Sequence, residues 1–307
     1  MKKDFLTLAD YKKEELKGII EMAVQLKDKR NNGVLEKYLE NKKAALLFEK
    51  PSTRTRISFE TGIVELGGYP VVLSSKDLQL SRGESVKDTA KIMSLFVDLI
   101  IIRAYEHKTL EGFAQFSDVP VINALTDKFH PCQILADFMT LYEVFGKLKD
   151  IKVAFVGDGN NVANSLAIAS SLFGIKFSIA TPKGYELDRD IVKLTKKLSE
   201  NFTLEEHNNP IDAVQDADVI YTDVWISMGD EEAKDRRMLD FKRFTVNRAL
   251  MEKTGKKTSF MHCLPAHIGL EVDEDILYSE NSLIYKQAEN RLHIQKAIIL
   301  KLLQIKI

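Results

Sequence analysis

The sequence predicts an α/β protein built as two doubly wound parallel-sheet domains with an active site in the cleft between them. Three observations carry this expectation. Short apolar runs alternate with helix-period segments from end to end, the pattern of parallel sheets covered by helices. The chain has 307 residues, enough for two separate cores. The polar residues suited to chemistry follow the apolar runs, as expected where ligands sit beyond the carboxyl ends of strands.

In chain order, Lys12 to Lys29 places Leu16, Ile19, Ile20, Ala23 and Leu26 on one helical face. Ala44–Phe48 reads as a strand. A helix follows, with Ile57, Phe59, Ile63 and Leu66 on its apolar face and Gly67-Gly68 at its end. Pro70–Leu73 is the next strand; Ser85, at capping distance from Asp88, opens a helix through Phe96. Leu99–Ile102 and Val119–Asn123 complete the first set of strands. A helix from Ile134 to Phe145 ends at Gly146 and a lysine-rich turn, so the domain junction falls around Pro131 to Lys149. Beyond it come strands at Val153–Val156, Phe177–Ala180, Val219–Thr222, Ser259–His262 and Leu283–Tyr285, then a last helix from Ala288 to Leu303.

Composition narrows the function classes. Hydrophobic residues make up 45% and charged residues 29%, and the formal net charge of -1 gives nucleic acid or a membrane surface no broad basic face to meet. Only two cysteines occur, Cys132 and Cys263, too few for a disulfide framework and consistent with a reducing compartment. Met1-Lys2-Lys3-Asp4 leads into no apolar signal segment, and Asp10, Glu14 and Glu15 speak against a transit peptide. No window has the apolar length of a membrane span. A soluble, cytoplasmic protein is expected.

Ser52-Thr53-Arg54-Thr55-Arg56 begins a helix directly after a strand. Free N–H groups, the positive end of the helix dipole and forked guanidinium donors converge there on a phosphate or similar dianion. The Walker pattern is absent, which favours a small phosphorylated compound over a nucleotide. A solvated basic helix start is the bland alternative. Arg103 closes the strand Leu99–Ile102 at the same edge, as a surface ion pair or a ligand contact. In His130-Pro131-Cys132-Gln133 the proline suits a first helical turn. His130 there is either a cap or, together with Gln133, a donor to a developing oxyanion. Cys132 reads as a small buried apolar residue. Arg291, at the start of the last predicted helix, is either a helix-end ion pair or an anion-binding cation.

Three later segments suit an amino acid. Gly157-Asp158-Gly159-Asn160-Asn161 has Gly-x-Gly but Val162 where a dinucleotide fingerprint needs its third glycine, so amide hydrogen bonding from Asn160 and Asn161 is favoured over a nicotinamide cofactor. Asp223 at a strand end, with Ser227, Met228 and Gly229 after it, suits an ammonium group and its neighbours. His262-Cys263-Leu264-Pro265, with His267, raises the question of zinc. Strand neighbours point to opposite faces, however, and no second cluster supplies more ligands, so no metal is expected. Cys263 at a strand end can instead take or orient a proton.

Ser-Thr-Arg-Thr-Arg, His-Pro-x-Gln, Asp-x-x-x-Ser-Met-Gly and His-Cys-Leu-Pro, in this order and spacing, resemble the ornithine carbamoyltransferase family over essentially the whole chain. The first two motifs resemble aspartate carbamoyltransferases equally well. The last two separate the families, because a dicarboxylate acceptor needs extra cations, whereas Asp223 and Ser-Met-Gly suit a diamino acid. The resemblance implies a cofactor-free transfer of the carbamoyl group from carbamoyl phosphate to the δ-amine of L-ornithine, giving L-citrulline and phosphate, in arginine metabolism. It implies a carbamoyl phosphate domain over residues 1–133, with 290–307 packing back on it, and an ornithine domain over 134–289. Ser52, Thr53, Arg54 and Thr55 match the phosphate motif, and Gln79 a contact reaching a neighbouring subunit's site. Arg103 and His130 match the groups that polarise the carbamoyl oxygen, and Gln133 the one that holds its amide. Cys263 with Leu264 matches the pair serving the attacking amine and the carbamoyl group, and Arg291 a late donor contact. Asn161, Asp223, Ser227 and Met228 match the ornithine contacts. A homotrimer is implied, with no nucleic-acid or membrane partner. Rival readings are a carbamoyltransferase for putrescine or an N-acylated ornithine, a nicotinamide-dependent dehydrogenase, and a non-catalytic binding paralogue.

Overall fold

The computed structural model describes residues 2–74, 79, 83–226 and 233–307. The chain forms two compact units, one of residues 1–139 and 289–307, the other of residues 140–288. The first contains α1 (Lys13–Asn31), β1 (Lys43–Phe48), α2 (Thr53–Glu65), β2 (Tyr69–Ser74), α3 (Val86–Phe96), β3 (Leu99–Arg103), α4 (His107–Phe116) and β4 (Val121–Leu125). Its four parallel strands lie in the order β2-β1-β3-β4. From β1 the chain winds outward to β2, then returns past β1 to β3 and β4. With right-handed crossovers, that reversal puts helices on both faces and leaves a switch point between β1 and β3. All five residues of β3 and Ala44–Leu47 of β1 are buried, which is why these central strands read as unbroken apolar runs.

Helix α5 (Pro131–Phe145) carries the chain into the second unit, which holds β5 (Lys152–Val156), α6 (Asn161–Phe173), β6 (Lys176–Ala180), α7 (Arg189–Leu198), β7 (Leu204–His207), α8 (Pro210–Val214), β8 (Val219–Thr222), α9 (Lys234–Asp240), α10 (Arg248–Glu252), β9 (Ser259–His262) and α11 (Glu274–Leu277). Helix α12 (Ile284–Leu302) returns to the first unit. The strand order is β7-β6-β5-β8-β9, again all parallel, with its switch point between β5 and β8. Both sheets are therefore doubly wound, as the alternating pattern predicts. Among the described residues no helix is long and apolar enough to cross a membrane.

Local expectations hold where one physical signal dominates. Ser85 Oγ accepts from Asp88 N–H at 3.0 Å and caps α3. Leu16, Ile19, Ile20, Ala23 and Leu26 of α1 are all buried.

Three expectations are corrected. Strand β7, Leu-Glu-Glu-His, carries no strand pattern in its sequence because it is an edge strand whose acids serve surface pairs: Glu205 with Lys152 at 2.9 Å and Glu206 with Arg189 at 2.9 Å. Leu283–Tyr285 is not a strand; Ser282 makes one isolated bridge to Phe260 and the chain turns helical at Ile284, since three apolar residues fit either period. Ile57 is 57% exposed, whereas Phe59, Ile63 and Leu66 are buried. It lies with Val64 on a second apolar stripe of α2, two turns apart.

Helix α12 starts a turn earlier than expected and is buried almost all round. Glu65 of α2 accepts from Lys296 on this helix at 2.7 Å and from Arg30 of α1 at 2.8 Å. Between these charges His293 is fully buried, and neither ring nitrogen has a hydrogen-bond partner among the described residues. Burial, then the positive charges of Lys296 and Lys27, lowers its pKa from 6.5 to about 4. The unfolded chain thus binds a proton at His293 below about pH 6.5, while the folded chain does not until about pH 4. Stability therefore falls as pH drops through this window, and His293 accounts for about 3 kcal/mol of the loss by its lower end. Thermal denaturation of the wild type and His293→Leu between pH 7 and pH 4 checks this: the variant's curve is the flatter of the two, and parallel curves would remove His293 from the account.

Candidate active site

The first unit gathers its polar side chains at the switch point between β1 and β3. Ser52 caps α2, its Oγ accepting from Thr55 N–H at 3.3 Å, so the helix presents its first N–H groups just beyond β1. Thr55 is fully buried, and its Oγ1 accepts from Arg103 Nη1 at 3.3 Å and from Arg291 Nη2 at 3.1 Å. One hydroxyl thus orients two guanidinium groups from β3 and α12. Arg54 is half-buried, whereas Arg56 turns outward to pair with Glu60 at 2.8 Å, so only one of the two arginines of the motif belongs here. Thr53 is exposed at the helix start.

His130 reaches the same place through the turn after β4, where Thr126 N–H donates to Phe129 O at 2.9 Å. It is buried, and burial followed by the charges of Arg291, Arg103 and Arg54 holds its pKa well below 6.5. The ring is neutral at physiological pH, a donor without a charge of its own. Gln133, one turn along α5, accepts at Oε1 from Arg291 Nη1 at 3.0 Å. Arg291 is therefore a buried mid-helix residue joined to Thr55 and Gln133, not a cation at a helix start, because α12 begins seven residues before it. Burial pushes the Cys132 thiol up to about 12, and the thiol donates to Asn123 O at 3.3 Å, the inert role its sequence context suggests. Gln79 is exposed, with its carbonyl accepting from Glu84 N–H at 3.1 Å.

The second unit repeats the arrangement at its own switch point, between β5 and β8. Asp223, at the end of β8, is buried; Asn160 Nδ2 donates to its Oδ2 at 2.8 Å and the Cys263 thiol to its Oδ1 at 3.1 Å. Asn160 Oδ1 accepts from Val162 and Ala163 N–H, so capping α6 fixes which way its amide faces. Asn161 is the first residue of that helix. Both asparagines suit amide hydrogen bonding by sequence; the structure gives the Asn160 amide to the carboxylate of Asp223 and to the cap of α6, and the position before an apolar helix is the signal for that cap. Gly159 has a local reason: a Cβ there would lie 2.5 Å from Glu186 O, so this glycine serves a close backbone approach and needs no dinucleotide to explain it. Ser227 and Met228 lie outside the described residues.

Cys263 follows β9, and Leu264 after it has a left-handed φ of 58°, an uncommon state for leucine. Leu264 N–H donates to His262 Nδ1 at 2.8 Å, and His262 Nε2 lies 3.3 Å from the buried carboxylate of Glu271. Asp223, His262 and Cys263 bring ligand-type atoms within 4.8 Å of one another. A metal fits them poorly, since both His262 nitrogens already face groups of the protein.

Two doubly wound parallel sheets, each gathering polar side chains beyond the carboxyl ends of its strands, define an α/β protein with two halves of like design. Comparison with known proteins names these halves. The aspartate/ornithine carbamoyltransferase carbamoyl-P binding domain matches residues 3–143, and the Asp/Orn binding domain of the same family matches residues 149–302. The chain belongs to the aspartate/ornithine carbamoyltransferase family. It is 50% identical over 303 residues to an ornithine carbamoyltransferase of Anoxybacillus flavithermus, covering 98% of this chain and 96% of that one. The structure of ornithine carbamoyltransferase from Pyrococcus furiosus superposes with a TM-score of 0.94 at 47% identity, covering 97% of this chain and 96% of that one. For the anabolic ornithine carbamoyltransferase from Campylobacter jejuni the TM-score is 0.93 at 40% identity, covering 98% and 99%.

Proposed function

We propose that this protein transfers the carbamoyl group of carbamoyl phosphate to the δ-amine of L-ornithine, releasing L-citrulline and phosphate. The observation that supports it most is the pairing of an acid-holding half with a cation-rich half: Asp223 fixed by Asn160 and Cys263, and Arg103 and Arg291 fixed by Thr55. Residues 1–133 with 290–307 hold the donor, and residues 134–289 hold the acceptor. The phosphate sits against Ser52, Thr53, Arg54 and Thr55 at the start of α2, where backbone N–H groups and the helix dipole favour a dianion. Gln79 adds a contact from a neighbouring subunit. Arg103 and neutral His130 donate to the carbamoyl oxygen, Gln133 accepts from the carbamoyl amide, and Leu264 and Arg291 complete the donor's surroundings. Asn161, Asp223, Ser227 and Met228 hold ornithine, with Asp223 on its α-ammonium.

The δ-ammonium gives up a proton before its nitrogen attacks, and Cys263 is the group beside it that takes or directs that proton. The new C–N bond places negative charge on the former carbonyl oxygen, where preset donors are worth about 3 kcal/mol each. The C–O bond to phosphate then breaks, the second proton of the attacking nitrogen passes to the departing phosphate, and the dianion so formed stays countered by Arg54. Bringing both substrates within attack distance supplies much of the remaining acceleration. Ranking amines as acceptors tests the reading. Ornithine should lead by a wide margin, and a preference for putrescine or an N-acylated ornithine would replace it, because neither presents a free α-amino group beside an α-carboxylate.

The chain assembles as a homotrimer and works in the cytoplasm. Apolar side chains stay exposed along the edge strand β2 (Tyr69, Val71) and on the helices before and after it, α2 (Ile57, Val64) and α3 (Ile92, Leu95, Phe96), at 41% to 77%, which supports cover of this sheet edge by another copy of the chain. Both cysteines are unbonded, in keeping with a reducing compartment. Light scattering should give three times the chain mass. Leu95→Glu combined with Phe96→Glu should yield a smaller species with reduced turnover, since a monomer lacks its neighbour's Gln79. A monomeric, fully active wild type would contradict the assembly.

A further inference from the structure

We propose that Asp137 is a positioning residue: it fixes the Gln133 side-chain amide so that the oxygen faces the carbamoyl NH2, and thereby makes the enzyme select carbamoyl phosphate over other acyl phosphates. The inference rests on the assignment of Gln133 to the carbamoyl amide. Asp137 is completely buried on α5, one turn beyond Gln133. Gln133 Nε2 donates to Asp137 Oδ1 at 2.9 Å, and Arg291 Nη1 donates to Gln133 Oε1 at 3.0 Å. A carboxylate only accepts and a guanidinium only donates, so the amide between them has one satisfied orientation. Flipped, its NH2 would meet the guanidinium and its oxygen the carboxylate, two repulsive contacts in a buried place.

That orientation decides what Gln133 can read. A carbonyl oxygen has two lone pairs, and Arg291 uses one. The second suits the NH2 of a carbamoyl group, a donor that no other common acyl phosphate carries. Acetyl phosphate puts a methyl group there and gains nothing from the acceptor. The i, i+4 spacing in His-Pro-Cys-Gln-Ile-Leu-Ala-Asp places both side chains on one helical face. Asp137 thus acts on the substrate through Gln133, with Arg291 as the opposing stop.

The test compares carbamoyl phosphate, by its KM, with acetyl phosphate, by its Ki as a competitor, in wild type, Asp137→Asn, Gln133→Leu and the double variant. Asp137→Asn should raise the KM for carbamoyl phosphate at least about tenfold, the size of one charge-assisted hydrogen bond, and shift the Ki for acetyl phosphate by less than about threefold. In the Gln133→Leu background the same substitution should add less than about twofold, because the group it orients is gone. Equal weakening of both ligands by Asp137→Asn would show a merely structural role and overturn the proposal, as would an unchanged ratio. If Gln133→Leu itself leaves the ratio intact, the assignment of Gln133 fails and this proposal with it. Should Asp137→Asn lack the wild-type circular dichroism spectrum, Asp137→Glu replaces it: the ratio should fall part of the way, and a wild-type ratio overturns the proposal.

Discussion

Asp223→Asn should raise the ornithine concentration needed for half-maximal rate by about a hundredfold while changing that for carbamoyl phosphate by less than about threefold. The size follows from what the carboxylate does. It is buried at the end of β8, with one oxygen accepting from Asn160 and the other from Cys263. An ammonium arriving there finds a charge already oriented, and a charge-assisted hydrogen bond in such a place is worth about 2 to 3 kcal/mol. Asparagine removes the charge and converts one acceptor into a donor that faces either the Asn160 amide or the Cys263 thiol. Fold stability should change little by comparison, since Asn160 keeps its cap on α6 through its other amide atom. Steady-state kinetics with each substrate varied in turn make the check. Equal effects on both would place Asp223 outside the acceptor pocket.

Arg54→Ala is the second large effect, directed at the other substrate. Arg54 stands in the first turn of α2, where the N–H groups beyond the Ser52 cap and the helix dipole already favour an anion. Its guanidinium adds two charge-assisted donors, so its loss should lower kcat/KM for carbamoyl phosphate by about a thousandfold. Inorganic phosphate should weaken as a product inhibitor in parallel, because the same contacts serve donor and leaving group. Removing this charge also relaxes one of the three guanidinium influences that hold His130 neutral, so the imidazole of the variant should protonate at a higher pH than in the wild type. Near-normal kinetics would remove the phosphate assignment.

Much of this was legible in the sequence, for a physical reason. Parallel strands buried on both faces must be apolar throughout, so β1, β3, β5 and β8 announced themselves, and the residues just past them were the ones with chemistry to do. The failures also have causes. Leu204–His207 carries edge charges instead of a core pattern, and Leu283–Tyr285 was too short to separate strand from helix. Ile57 matched the apolar face of α2 by type, but the helix has two apolar stripes and period alone does not say which one the core takes.

Within the site, the residues that meet each other across long sequence distances were the least readable. Arg291 looked like a helix-end cation, yet it is a buried link between Thr55 and Gln133, residues 236 and 158 positions away. Asn160 as the support of Asp223, and Asp137 as the support of Gln133, are contacts of orientation. A side chain that positions another leaves only a weak local signal, here a cap position and an i, i+4 spacing.

In the proposed reaction one carbon passes from a phosphate oxygen to the terminal nitrogen of ornithine. Purified protein given carbamoyl phosphate labelled with carbon-13 and unlabelled ornithine should convert the carbamoyl resonance into that of a ureido carbon, one citrulline for each phosphate released, and release should stop when ornithine is omitted. Phosphate appearing at the same rate without ornithine, or label reaching the α-nitrogen in place of the δ-nitrogen, would rule this transfer out.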